Sequence, residues 1–217
     1  MLETRTPPGP IYRLGRHPDP WAPPDWSRAQ PDGTFGNRFD DPTGYYRVLY
    51  ASSRRLSCFL ETLARFRPDL TLLAELQEIE GENDFFPLTQ IPKAWCKARL
   101  LGTGRSRGHY ADICAARWVG HLRKVLSMEC WKLGLTDLDV AVLQKGQPRR
   151  LTQLASVEAY KAGLNGIYYR SRYGNDLDNW AIFEPFDVEV TDGPELIMED
   201  DPDLLAACAI LGVVIER

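Results

Sequence analysis

A strand followed closely by a short helix, in residues 36–61 (GNRFDDPTGYYRVLYASSRRLSCFLE), constrains the fold of this chain more than any other feature. Residues 45–50 (YYRVLY) are aromatic and branched, which favours a β-strand. Ser52 or Ser53 then has the side chain of a helix N-cap. The apolar residues that follow recur at the spacing of one buried helix face: Leu56, Phe59, Leu60 and Leu63. Glu61 falls off this face, so we expect its carboxylate at the edge of the core.

The rest of the chain interleaves strands and helices. Apolar and aromatic runs predict strands at 71–80, 97–102, 166–171, 180–185 and 187–190. Helical spacing predicts helices at 109–126, 153–162 and 203–211, and a polar loop at 172–179 joins two of the strands. Many links between strands are too short for a parallel crossover. We therefore expect an α+β fold with mainly antiparallel sheets and flanking helices.

The first 35 residues are rich in proline, which disfavours long helices and central strands. Ile11, Trp21 and Trp26 are nevertheless scattered through them, and apolar residues at this density predict burial. We expect residues 1–35 to form an arm packed on one domain that spans 36–217.

Composition limits the classes of partner. The formal net charge of the 217 residues is −4 without a long basic run, so we expect no nucleic-acid binding. No apolar stretch approaches the ~20 residues that span a bilayer, and no signal peptide is visible, so we expect a cytoplasmic protein without membrane contact. The five cysteines form no CxxC pair and the three histidines form no ligand pair, so no metal site is expected.

Arg38 and Glu61 each allow two interpretations. Arg38 either pairs at the surface with Asp40 or Asp41, or clamps an anion, since a guanidinium matches phosphate oxygens. Glu61 either pairs with Arg65 one helical turn on, or stabilises a cation-like transition state beside a sugar. The functional interpretation of each residue, anion binding for Arg38 and transition-state stabilisation for Glu61, supports that of the other.

Tyr50, Ser171 and Arg13 are the other candidates. Tyr50 ends a strand and is either a core tyrosine or a ligand contact. Ser171 lies between two arginines, with no GxSxG motif and no neighbouring histidine, so phosphate or sugar binding suits it better than nucleophilic attack. Arg13 is either a surface charge or a second phosphate contact, depending on whether the arm reaches the cleft.

Five motifs in order along the chain resemble the RES domain: IYRLGRHPDP, GNRFDDP, YRVLYASSRRLSCFLETLARFRP, RLTQLASVEAYKAG and GIYYRSRYGNDLDNWAIF. This resemblance implies an ADP-ribosyltransferase-like fold and consumption of NAD as a substrate. The arginine, tyrosine, glutamate and serine of the family match Arg38, Tyr50, Glu61 and Ser171 of this chain. Arg13 matches an arginine near the start of many family members. Compared with many toxin members of the family, this chain has extra sequence around 81–108, and its segment LGTGRSRGHYADICAARW matches the family less clearly.

The resemblance implies an enzyme that cleaves the nicotinamide–ribose bond of NAD by hydrolysis or phosphorolysis, as the toxin of a bacterial toxin–antitoxin pair. Catalysis would fall to Glu61, Arg38 and Tyr50, and NAD binding to Arg13, Arg38, Tyr50 and Ser171. A protein ADP-ribosyltransferase and a non-catalytic interaction domain are the alternatives. Besides NAD, the partners considered are an antitoxin protein and a second copy of the chain as a homodimer.

Overall fold

The computed structural model describes residues 1–69, 71 and 89–216. The strand predicted at 71–80 falls outside these residues, apart from residue 71. Within the described residues, strands and helices alternate along the chain and build two sheets flanked by helices. The predicted α+β fold, mainly antiparallel with flanking helices, is confirmed.

Eleven strands lie in the described part of the chain. They are β1 (Thr4–Arg5), β2 (Ile11–Arg16), β3 (Val48–Ser52), β4 (Thr89–Ile91), β5 (Arg99–Arg105), β6 (Tyr110–Asp112), β7 (Gly166–Ser171), β8 (Gly174–Phe183), β9 (Glu189–Val190), β10 (Glu195–Leu196) and β11 (Val213–Ile215). The larger sheet has the order β1-β6-β7-β8-β3-β2-β5-β10, with β9 also paired to β5. Among the described strands of this sheet only β6 and β7 run parallel, while β4 and β11 form a separate parallel pair.

Seven α-helices surround the sheets in the same residues. They are α1 (Arg55–Leu63), α2 (Lys93–Lys97), α3 (Ala116–Val125), α4 (Ser127–Lys132), α5 (Val140–Lys145), α6 (Arg149–Lys161) and α7 (Pro202–Leu211). The predicted apolar face of α1 is buried, with Phe59, Leu60 and Leu63 all inaccessible to solvent. This face packs against Leu204 and Ala207 of α7.

Several predicted boundaries are wrong. The helix expected at 109–126 starts only at Ala116, because residues 110–112 pair with β7 as a strand. Ser52 is the last residue of β3 instead of a helix cap, and the N-cap position of α1 is Arg54, without a side-chain bond. The loop expected at 172–179 shrinks to a tight turn, since β8 already begins at Gly174.

The proline-rich segment contributes an inner strand to the sheet, so the expectation that its prolines exclude a central strand is wrong: residues 11–16 (IYRLGR) contain no proline. Residues Ile11–Arg16 pair on one side with β5 and on the other with β3. The chain then folds back over this strand: a Cβ on Gly15 would lie 2.1 Å from the carbonyl oxygen of Pro20. Only a residue without a side chain permits this approach. The segment therefore reaches the middle of the molecule.

Candidate functional site

A cavity of about 350 Å³ opens where β2, β3 and α1 meet. We call it the site cavity. Its lining contains one carboxylate and four arginines, together with polar and apolar neighbours: Arg13, Leu14, Asn37, Arg38, Tyr50, Ala51, Ser52, Cys58, Glu61, Thr62, Arg149, Tyr169 and Arg172. Four of the five predicted site residues are thus brought to one place, from β2, the loop before β3, β3 itself and α1. The fifth, Ser171, is not on this lining.

Glu61 is held through only one of its carboxylate oxygens. The hydroxyl of Ser171 donates a hydrogen bond to its Oε1 at 2.7 Å, and the amide of Asn179 donates to the same oxygen at 3.2 Å. Among the residues that the structure describes, no donor reaches Oε2. Ser171 therefore acts here as a support for Glu61, while the second carboxylate oxygen stays available to a ligand.

Asn179 connects this carboxylate to the sheet. It is fully buried on β8, and its Oδ1 accepts hydrogen bonds from the hydroxyls of Ser52 and, at 2.8 Å, of Ser57. The amide oxygen of Asn179 and one of its two N–H groups are thereby hydrogen-bonded. Ser52 belongs to β3 and Ser57 to α1, so the network fixes the helix that carries Glu61 relative to two strands. This role was not predicted from the sequence, because Asn179 stands in a polar run that resembled a loop.

Arg38 is buried with part of its hydrogen-bonding capacity unused. Its Nη2 donates to the carbonyl oxygen of Leu143, and its guanidinium carbon lies 4.9 Å from the ring centroid of Phe39 and 5.1 Å from that of Tyr169. Within the part of the chain that the structure describes, its Nε has no hydrogen-bond partner. Burial lowers the pKa of Arg38, the direction expected when a cation loses its hydration.

The surface pairing considered for Arg38 is not what the structure contains. Asp40 instead accepts hydrogen bonds from the backbone N–H groups of Phe35 and Asn37, at 3.0 and 2.8 Å. Asp41 accepts from the backbone N–H of Thr43 at 2.8 Å. Both carboxylates therefore order the loop that presents Arg38, instead of neutralising it.

The hydroxyl of Tyr50 is already engaged within the protein. It accepts a hydrogen bond from the backbone N–H of Phe39 at 2.9 Å and donates to Asp40 at 3.3 Å. Burial raises the pKa of this phenol well above its usual value, so it stays neutral. Tyr50 lines the site cavity, so a ligand would contact its ring instead of its engaged hydroxyl.

Arg13 is anchored from both sides. Its Nε donates to the carbonyl oxygen of Pro20 at 2.7 Å, and its Nη1 donates to that of Tyr50 at 2.9 Å. Burial lowers its pKa to about 10, which leaves the side chain charged at neutral pH. The proline-rich segment thus brings a fixed positive charge into the cavity wall.

Several cavity residues escaped the sequence analysis. Arg149 begins α6, far along the chain from the two segments that drew attention. Tyr169 and Arg172 flank Ser171 in the hairpin motif, and this neighbourhood was the signal that could have identified them. The identity of Asn37 was visible beside Arg38, but its place on the cavity wall depends on the fold.

Two searches of the described residues gave negative results. No group of three or more histidine, cysteine, aspartate or glutamate side chains is arranged to hold a metal ion. No helix in this part of the chain has the length and apolar character needed to cross a membrane.

Comparison with known proteins gives one matching family and one similar solved structure. The family model described as the RES domain matches residues 10–201, which include all the cavity residues. Among solved structures, the chain is similar to one in the crystal structure of the M. tuberculosis MbcT-MbcA toxin-antitoxin complex, with 13% identity and a TM-score of 0.47, over 88% of this chain and 84% of that one. The search of curated proteins gave no match.

Proposed function

The chain belongs to the RES domain family, and from this premise we propose that it cleaves the nicotinamide–ribose bond of NAD. The observation that carries the proposal is the state of Glu61. One carboxylate oxygen is fixed by Ser171 and Asn179, and the other is open in a cavity whose remaining charges are arginines. Such an arrangement suits a substrate that is anionic at one end and becomes cationic at its reacting carbon.

The diphosphate of NAD supplies the anionic end. Arg38 lines the cavity, and within the described residues its side chain makes one hydrogen bond, from Nη2 to the carbonyl oxygen of Leu143. A phosphate oxygen at the remaining accessible N–H groups would form a charge-assisted hydrogen bond. Arg149 and Arg172 line the same cavity and add positive charge without a fixed partner in the described residues.

The ribose carbon C1′ supplies the developing cation. When its bond to the pyridinium nitrogen breaks, the bonding electron pair stays on that nitrogen and neutral nicotinamide leaves. Glu61 Oε2 can stabilise the positive charge left on the sugar, or hold a ribose hydroxyl beside it. A water oxygen then bonds to C1′ and gives up one proton. Phosphate or a protein side chain can take the place of water in the same step.

Nicotinamide release from NAD by the purified protein tests the proposal. We expect turnover by the wild type and a loss of roughly 100-fold or more in Glu61→Gln, which keeps the acceptor for Ser171 and Asn179 but removes the charge. Glu189→Gln is the matched control, because Glu189 is an exposed strand residue away from the cavity. A folded wild type that consumes neither NAD nor NADP, with or without phosphate, would refute the proposal.

We further propose that the protein acts as a toxin that an antitoxin protein inhibits, as its resemblance to toxin members of the family implies. Depletion of NAD would be the toxic event. Expression in bacteria should then stop growth and lower cellular NAD, while Glu61→Gln expressed to the same level should do neither. Growth arrest by both the wild type and Glu61→Gln, without a change in cellular NAD, would show that toxicity does not depend on NAD cleavage.

A further inference from the structure

Tyr169 is a buried residue of the site cavity that the function proposed above does not use. It is only 7% exposed, yet within the part of the chain that the structure describes its hydroxyl makes no hydrogen bond. A buried tyrosine hydroxyl usually has a partner. Each of the other three buried tyrosines bonds to a side chain: Tyr46 to Ser156, Tyr110 to Ser106 and Tyr168 to Asp178. The hydroxyl of Tyr169 is therefore available to a ligand in the cavity.

The sheet places Tyr169 beside the network that holds Glu61. Tyr169 on β7 lies directly opposite Asn179 on β8, and side chains at opposed positions project from the same face of a sheet. Asn179 donates a hydrogen bond to one oxygen of Glu61 at 3.2 Å. Ser171, also on β7, donates to the same oxygen at 2.7 Å. Tyr169 is thus a neighbour of the carboxylate whose second oxygen is open, and both residues line the site cavity.

The ring of Tyr169 is held by packing, and its hydroxyl remains a donor. The ring centroid lies 5.0 Å from that of Phe39 and 5.1 Å from the guanidinium carbon of Arg38. These contacts engage the ring and leave the hydroxyl unused. Burial raises the pKa of the Tyr169 phenol, and the negative charge of Glu61 acts in the same direction. The phenol therefore stays protonated at neutral pH.

We propose that Tyr169 donates a hydrogen bond to the 2′-hydroxyl of the nicotinamide ribose and thereby selects ribose over 2′-deoxyribose. An ionised carboxylate can only accept hydrogen bonds, whereas a protonated phenol can donate one. A sugar hydroxyl does both, so it can donate to Glu61 Oε2 while its oxygen accepts from Tyr169. The carbon that bears the 2′-hydroxyl is bonded to C1′, the reacting carbon beside Glu61. The identity of this ligand rests on the proposed function.

Binding of carbocyclic NAD tests the hydrogen bond without turnover. In this analogue a methylene group replaces the ring oxygen of the nicotinamide ribose, so it keeps the 2′-hydroxyl but cannot form an oxocarbenium-like cation. Tyr169→Phe removes only the hydroxyl and keeps the ring that packs on Arg38 and Phe39. In calorimetry this variant should bind the analogue about threefold to tenfold more weakly than the wild type. Tyr45→Phe, at an exposed tyrosine, is the matched control and should bind like the wild type.

The 2′-deoxy form of carbocyclic NAD identifies the group that Tyr169 contacts. The wild type should bind this form more weakly than carbocyclic NAD, and Tyr169→Phe should lose most of that preference. If the variant binds both analogues more weakly by the same factor, the contact lies elsewhere on the dinucleotide and the proposal is overturned. Equal binding of both analogues by the wild type would also overturn it, and that comparison does not require the variant to fold.

The same measurements separate this inference from the proposed function. Binding of carbocyclic NAD that depends on the hydroxyl of Tyr169 and on the 2′-hydroxyl, in a protein that releases no nicotinamide from NAD, would support the contact and refute NAD cleavage. Nicotinamide release by a wild type that binds the two analogues equally would support NAD cleavage and refute the contact. Urea denaturation of Tyr169→Phe should give the midpoint of the wild type, because the hydroxyl has no partner in the described residues.

Discussion

The two sides of α1 face interiors of opposite character. On one side Phe59, Leu60 and Leu63 pack against α7 in an apolar cluster. On the other side Ser57 and Glu61 join a buried polar network. Apolar packing has no direction, so it stabilises the helix without fixing its rotation closely. Hydrogen bonds do have a direction, so the polar side determines where the carboxylate lies.

Adjacent residues of α1 provide a direct test of this comparison. Leu60 is inaccessible to solvent within the apolar cluster, and Glu61 lines the site cavity. If the two sides have separate tasks, substitutions at these neighbouring positions should affect different measurements.

Leu60→Ala should lower the free energy of unfolding by about 2–5 kcal/mol, because it removes a fully buried side chain and leaves a cavity. Turnover per folded molecule should change little. Urea denaturation measures the first quantity, and nicotinamide release at a temperature where the variant is folded measures the second. A large loss of turnover in fully folded Leu60→Ala would mean that the apolar side also positions Glu61.

Glu61→Gln should show the opposite pattern. We expect a loss of turnover equivalent to about 3 kcal/mol in the activation barrier, with NAD affinity changed far less. Its unfolding midpoint in urea should stay near that of the wild type, because the amide oxygen still accepts hydrogen bonds from Ser171 and Asn179. Equal losses of binding with unchanged kcat would instead identify Glu61 as an anchor for the ribose.

Asn179→Ala should affect both measurements, because Asn179 connects the two sides. It leaves the hydroxyls of Ser52 and Ser57 without their acceptor, at a cost of about 1–3 kcal/mol in the free energy of unfolding. It also removes one of the two hydrogen-bond donors that position the Glu61 carboxylate, so kcat should fall while KM changes less. Asn175→Ala, at an exposed position near the start of the same strand, is the control. Loss of stability with wild-type kcat would restrict Asn179 to a structural role.

The thiol of Cys58 should make the free energy of unfolding decrease as the pH rises through the alkaline range. Burial raises the pKa of this thiol to about 12, from 9.0. The unfolded chain therefore loses the proton first, and the stability that Cys58 contributes below pH 9 is lost as the pH rises toward 12. Between pH 8 and pH 10 this loss is about 1.4 kcal/mol. Denaturation of Cys58→Ala at both pH values should show a correspondingly smaller decrease, and an identical decrease in both proteins would contradict the assignment.

Local sequence patterns determined the elements whose neighbours lie close along the chain. The spacing of Leu56, Phe59, Leu60 and Leu63 identified α1 and its buried face. It also placed Glu61 at the border of that face, because the period of a helix fixes the direction of each side chain. The run GIYYRS likewise identified β7 at residues 166–171. The class of fold followed from short links between such strands.

The contacts between distant segments were decided only by the tertiary structure. Residues 110–112 looked helical and became a strand, because β7 was available to pair with them. Asn179 looked like part of a loop and became the buried partner of Glu61, 118 residues away. Propensity and periodicity describe a residue and its near neighbours, whereas a hydrogen bond across the sheet depends on which strands meet and in what register. The cavity between α5 and the β7–β8 turn has the same origin, since these two elements meet only in the folded chain.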